Sequence, residues 1–460
     1  MTSAIQQHSA SELFAHALRF ENRADPYPLY EQLLRQPVAR MADGSWLATG
    51  HREIGLLLRD PRISADRLNP QPLPIRKSLL MEDPPRHDQL RQVVARQFVP
   101  RVMGMRDHIN ALVTGLLDAH TSERPGQLDV VGDLAYPLPV TVICELLGVP
   151  REDERLFGGL ARRLTRGLDP VDTQTEEEIR ELQEARAELA EYLEGLITRH
   201  GADGGGDLLA GLMNGQSPDG PMDAIDLRVT LGLLLIAGHE TTVNLIANGT
   251  LALLRHPDVL ARLRNDPDLA TPLVEEVLRH DPPVQMSGRS TLADIDIAGT
   301  TVPKGSRIRL LLAAGNRDPR RFADPGRFLP DRADNAHLGF GGGIHYCIGA
   351  TLARAEAQIA LTVLARRLVS PRLITDPPPY RENAILRGPE QLPVAFERLL
   401  PDSRGRQRRP PSSSPGSVVA VTAGQQDRER GALPAEIFSP TPSASEDGFP
   451  QLASRTRAAT

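Results

Sequence analysis

The sequence predicts a mostly α-helical fold with small β-sheets, and three observations predict it. Apolar residues recur at helical spacing from about residue 10 to 400, the pattern expected of helices that each bury one face. The breaks between these runs are short and marked by Pro or Gly, with no low-complexity linker, so residues 10–400 are expected to form one continuous domain. A few segments instead alternate or are β-branched beside Gly or Pro, at residues 45–49, 294–297 and 307–312, which suits short strands.

The individual elements follow the same logic. Residues 176–199 place Ile179, Leu182, Ala185, Leu189, Leu193 and Ile197 on one face, the signature of an amphipathic helix. Residues 229–254 are apolar nearly all round and predict a long, buried central helix. Beyond residue 400 the composition turns to Pro, Ser, Gly and Arg, beginning with Arg404, Arg406, Arg408 and Arg409. Too few large apolar side chains remain to offset the entropy of ordering. A disordered tail is expected over residues 401–460.

Composition narrows the function. The net charge of −6 carries no basic excess of the kind that marks nucleic-acid binding. The two cysteines, Cys144 and Cys347, rule out a disulfide framework and fit a reducing compartment. The first 20 residues have neither a charged start nor an apolar run, unlike a signal peptide. The longest apolar stretch, residues 231–238, is too short for a membrane span. No membrane association and a cytoplasmic location are expected.

Four motifs carry chemistry. The first is Phe340-Gly341-Gly342-Gly343-Ile344-His345-Tyr346-Cys347-Ile348-Gly349, after which residues 350–368 read as a helix. Glycines let the chain turn tightly and approach a flat ligand, while amide donors and a helix N-terminus favour a thiolate. A phosphate cradle does not fit, because Ile344 and Tyr346 stand where its pattern requires other residues. Zinc could draw on His337, His345 and Cys347, although no C-x-x-C exists. A buried structural cysteine is the plainest alternative, but it leaves the converging glycines and histidine unexplained.

The second motif is Glu276-Val277-Leu278-Arg279, whose spacing puts both charges on one helix face. The third, Ala237-Gly238-His239-Glu240-Thr241-Thr242, lies within the apolar central helix, where Glu and Thr are costly unless partnered or functional. The small pair Ala237-Gly238 is expected to loosen the helix beside a diatomic ligand. Glu240 and Thr241 could then relay protons, the alternative being a threonine bonded back to its own helix. The fourth, Asp83-Pro84-Pro85-Arg86-His87-Asp88-Gln89-Leu90-Arg91, sets His87 and Arg91 four apart on one face.

The first motif matches the F-G-x-G-x-H-x-C-x-G signature of the cytochrome P450 family at every fixed position, and the chain resembles its soluble bacterial branch. The likeness runs from about residue 83 to 388 and, by length, over nearly all of residues 10–400. It implies a haem-thiolate domain with haem b between the central helix and the cysteine loop. Cys347 would be the iron ligand, with Phe340, Gly341 and Gly349 shaping its loop. His87, Arg91, Arg289 and His345 would hold the propionates. Glu276, Arg279 and Arg332 would brace the cysteine loop, and Glu240 with Thr241 would deliver protons.

The same resemblance implies a monooxygenase that uses O2 to hydroxylate or epoxidise a small, largely apolar substrate, as in natural-product tailoring. No flavin or dinucleotide fingerprint occurs in the chain, so electrons would come from NAD(P)H through a ferredoxin reductase and a ferredoxin docking near Arg354 and Arg96. Substrate contacts are expected from Leu79, Leu80, Leu234, Ala237, Val284, Gln285, Ser287 and Ile385. A peroxide-driven peroxygenase would not need the Glu240-Thr241 pair. A haem sensor or carrier would not need it either.

Overall fold

The computed structural model describes residues 9–66, 77–121, 125–169, 174–203, 206–214 and 222–401. The expected disordered tail lies outside the described residues. Helices dominate, and the longest, Ala224–Arg255, runs through the core with most of its length buried. It starts at Asp223, whose carboxylate accepts the Asp226 amide, a helix N-cap that satisfies an otherwise unpaired donor. Alone among the described residues it is long and apolar enough to cross a membrane, yet 67% of its most apolar window is buried inside the fold. Its hydropathy is that of a core helix.

Around it pack helices Pro137–Leu147, Glu154–Thr165, Glu176–Asp203, Ala270–His280 and Ala350–Arg367. Together they enclose the largest apolar cluster, which includes Ile143, Leu231, Leu245, Val277 and Leu361. The expected loosening at Ala237-Gly238 is not seen: the helix is continuous through both residues. Instead the carbonyls of Ala237 and Gly238 each take a further hydrogen bond, from the hydroxyls of Thr241 at 3.0 Å and Thr242 at 3.3 Å. Such bonds compete with the helical ladder and tend to bend it without breaking it.

The strands form small sheets. The principal one has five, in the order Val38–Arg40, Trp46–Ala48, Arg307–Leu310, Ser287–Thr291 and Ile63–Ser64. Trp46–Ala48 pairs parallel with Arg307–Leu310, while Ser287–Thr291 runs antiparallel to it, with Arg289 opposite Ile308. Arg289 thus sits on an interior strand, between Arg307–Leu310 and the short edge strand Ile63–Ser64.

The E-x-x-R pair is the electrostatic centre of the fold. Glu276 and Arg279 are both fully buried, and Arg279 donates Nε to Oε2 and Nη2 to Oε1 of Glu276, each at 2.7 Å. Its remaining donors reach the carbonyls of Asn316, Pro325 and Arg327 at 2.9–3.0 Å. Glu276 also accepts the Leu329 amide and the Asn335 side-chain amide, with Arg332 Nε at 3.5 Å. A buried charge pair stabilises only when its surplus donors and acceptors are satisfied, and here they are. Glu276→Ala is expected to lower the unfolding free energy by about 3–5 kcal/mol, the usual cost of stranding one partner of a buried pair. A denaturant midpoint equal to wild type would show that the network carries no such weight.

Candidate active site

The cysteine loop hangs from that network. Asn316, whose carbonyl Arg279 holds, donates Nδ2 to Leu278 O at 3.1 Å and accepts the Leu338 amide on Oδ1 at 2.7 Å. Leu338 is two residues before Phe340, so the brace ends where the glycine run begins. Gly341 and Gly343 have φ of +70° and +66°, a region that side-chain-bearing residues rarely occupy. A Cβ on Gly343 would also overlap the Leu58 carbonyl oxygen. The loop then closes through the Cys347 amide donating to Phe340 O at 3.0 Å.

Cys347 lies just before helix Ala350–Arg367 and is exposed, whereas Cys144 is buried in the core. Surrounding protein pushes its thiol up, against the opposing pull of the Gly349 and Ala350 amides and the charges of Arg91 and Arg354. Arg354 binds Glu275 through two bonds of 2.7 and 2.8 Å, donates to the Tyr346 hydroxyl at 3.2 Å and lies 4.6 Å over the Phe340 ring. Burial works against ionisation of Glu275, but hydrogen bonds from Arg354 and His337 hold its carboxyl down to about 2. Arg354 is thus a clamp beneath the loop, which leaves less of it free for a docking partner than the sequence suggested. Arg96 is exposed.

His337 uses both ring nitrogens, one with Glu275 at 3.0 Å and one accepting the Gly339 amide at 3.0 Å. It is not available to a zinc ion. His87 and His345 differ. Their rings stand 4.3 Å apart, and Nε2 of each is buried without a hydrogen-bond partner. His87 Nδ1 is 2.8 Å from Asp88 Oδ1, which fixes its ring. Arg91 donates to the Tyr346 carbonyl at 2.7 Å, and Arg289 Nη1 donates to Ser287 Oγ at 2.8 Å. Burial first, then His87, Arg289 and Arg91, push the His345 imidazolium down to about 3. The four predicted propionate residues therefore share one electropositive corner beside Cys347.

On the central helix, Ala237 is exposed within an otherwise largely buried stretch and Thr241 is partly so, one turn apart. Glu240 is buried, with Oε1 paired to the Arg381 guanidinium and Oε2 3.3 Å from His239 Nε2. Sequence reasoning missed Arg381, because nothing near it in the chain marks it as Glu240's partner. It missed the Glu275–Arg354 clamp for the same reason.

Among the predicted substrate contacts, Leu80 is exposed, Val284, Ser287 and Ile385 are partly buried, and Leu234 is buried on the central helix. Leu79 is 5% exposed and belongs to the main core. Gln285 is buried. Its side chain accepts from the Tyr30 hydroxyl at 3.2 Å and donates to Pro282 O at 2.7 Å, so it ties helix Tyr27–Leu33 to the segment before strand Ser287–Thr291. A cavity of about 250 Å³ among Leu18, Arg23, Arg166, Asp169 and Glu382 contains none of the predicted site residues.

Residues 62–394 match the cytochrome P450 family. The chain belongs to the cytochrome P450 family. Cytochrome P450 monooxygenase PikC of Streptomyces venezuelae is 40% identical over 400 residues, spanning 83% of this chain and 94% of that protein. Pentalenic acid synthase of Streptomyces avermitilis is 38% identical over 391 residues, spanning 81% and 94%. The ligand-free crystal structure of Mycobacterium smegmatis CYP164A2 superimposes with a TM-score of 0.77 at 39% identity, over 84% of this chain and all of that one. The protein is a cytochrome P450 monooxygenase, and the cofactor of that family is haem b held by a cysteine thiolate.

The residues present suit that cofactor. Two buried histidine nitrogens without partners, flanked by Arg91 and Arg289, suit a ligand with two carboxylates, as haem b has. A charge-assisted hydrogen bond contributes about 1.5–3 kcal/mol. His87→Ala and His345→Ala are each expected to speed haem loss to apomyoglobin by roughly 10- to 100-fold, that energy expressed as a rate. Wild-type release from both variants would remove the two histidines from the propionate site.

Proposed function

We propose that Cys347 is the axial ligand of the haem in a bacterial monooxygenase of secondary metabolism, and that the central helix supplies its protons. The observation that carries this is the exposed Cys347 sulfur, with amides at its back and the unpartnered His87 and His345 nitrogens beside it. Bound haem supplies the oxygen chemistry, and a thiolate ligand favours O–O cleavage.

The chain's own residues do the rest. The Gly349 and Ala350 amides, with Arg91 and Arg354 nearby, favour the ionised sulfur. Thr241 keeps its hydroxyl proton on the Ala237 carbonyl, which leaves the oxygen's lone pairs to accept a proton donor or hold a water. Glu240 is the acid behind it. Ala237, with its minimal side chain, keeps the helix surface open there.

The substrate is proposed to be a small, largely apolar molecule, because most of the expected contacts are apolar and Leu80, Val284 and Ile385 keep exposed or partly exposed surface, with Ser287 the polar exception. The names of relatives such as pentalenic acid synthase support secondary metabolism. Hydroxylation or epoxidation is the reaction proposed. Electrons are proposed to come from NAD(P)H through a reductase and a ferredoxin in the cytoplasm, with exposed Arg96 as a contact. Thr241→Ala is expected to divert reducing equivalents into hydrogen peroxide, seen as less product per NAD(P)H consumed. An unchanged product yield would take Thr241 out of the mechanism.

A further inference from the structure

His239 and Glu240 are neighbours on the central helix, and both are about 2% exposed. His239 Nδ1 lies 3.0 Å from the Leu235 carbonyl oxygen. A carbonyl can only accept, so Nδ1 carries a hydrogen. Burial pushes the imidazolium down to about 4, opposed by the Leu235 bond and reinforced by Arg381 and Arg162. The ring is therefore neutral near pH 7, and Nε2 presents a bare lone pair.

That lone pair faces Glu240 Oε2 at 3.3 Å, and neither atom has a hydrogen-bond partner. Two acceptors facing each other in a buried site repel. One proton between them converts the repulsion into a hydrogen bond. The other carboxylate oxygen, Oε1, meets Arg381, whose side chain is 17% exposed. The charged and titratable groups around the pair are Arg381 with Glu390 beside it, Arg162, and Tyr136. Tyr136 meets the His239 ring edge-on at 5.9 Å and carries Arg162 4.0 Å over its own ring.

We propose that His239 is a positioning residue of the proton route: His239 Nε2 and Glu240 Oε2 hold one proton between them, which Glu240 passes toward Thr241. In each delivery the bond to that proton breaks, the proton leaves on the Thr241 side, and the carboxylate is left ionised against Arg381. A proton from water on the Arg381 side then restores the pair. The inference rests on the reading of Glu240 and Thr241 as the proton route.

The test uses the full-length, haem-loaded protein with a surrogate ferredoxin and its reductase, and compares His239→Phe, His239→Gln and Glu240→Gln. Product per NAD(P)H and the solvent deuterium isotope effect are read together. His239→Phe is expected to keep the haem spectrum but lose roughly tenfold in product per NAD(P)H, within what a positioned proton-transfer group contributes, with a larger isotope effect. His239→Gln offers Oε2 an amide hydrogen bond but cannot share a proton, so it is expected to fall with His239→Phe. Wild-type coupling and isotope effect in His239→Gln overturn the proposal, and that variant decides if His239→Phe fails to load haem. If Glu240→Gln loses coupling while both His239 variants keep it, only the role of His239 fails. If Glu240→Gln also keeps it, the proton route through Glu240 fails as a whole.

Discussion

Arg279 is a full positive charge with no exposed surface, and the geometry around the cysteine depends on how that charge is satisfied. Burying an unpaired guanidinium would cost several kcal/mol. Its donors are therefore distributed over Glu276 and three backbone carbonyls from residues 316–327. This fixes an irregular segment that has little secondary structure of its own. Asn316 passes the constraint to Leu338, and the glycine turns carry it to Cys347. A loop without a helix or strand to hold it is thus positioned by one buried ion pair.

Charge is balanced differently around Cys347 and around Glu240. Beneath Cys347 the arrangement is cationic and donor-rich, with amides, Arg91 and Arg354 opposing the upward push that the surrounding protein exerts on the thiol. Glu275 keeps Arg354 in place through two hydrogen bonds. On the central helix a carboxylate is buried among apolar neighbours, with Arg381 on one oxygen and a histidine on the other. One side favours losing a proton. The other is suited to storing one.

How much of this was legible in the sequence depended on how local each interaction is. The cysteine loop, the E-x-x-R helix and the central helix are contiguous patterns, and the observed helix Ala224–Arg255 extends the predicted residues 229–254 by five residues at its start and one at its end. Three strands were placed, but not Val38–Arg40, Ile63–Ser64 or Ser287–Thr291 of the principal sheet, and no pairing was: the parallel pairing of Trp46–Ala48 with Arg307–Leu310 joins distant segments with no local signal. Arg381 and the Glu275–Arg354 clamp were invisible for the same reason. The hydrogen bonds of Gln285 to Tyr30 and Pro282 had no local signal either. Ala237-Gly238 was read as a helix-loosening pair, whereas the helix runs unbroken through both residues, its packing outweighing the competing bonds from the Thr241 and Thr242 hydroxyls.

The claim on which the rest stands is that Cys347 binds the iron as a thiolate. Carbon monoxide added to the reduced, haem-loaded protein tests it directly. The account predicts the red-shifted Soret band of a thiolate-ligated haem, and its loss in Cys347→His. A histidine-type band in the wild-type protein would contradict it.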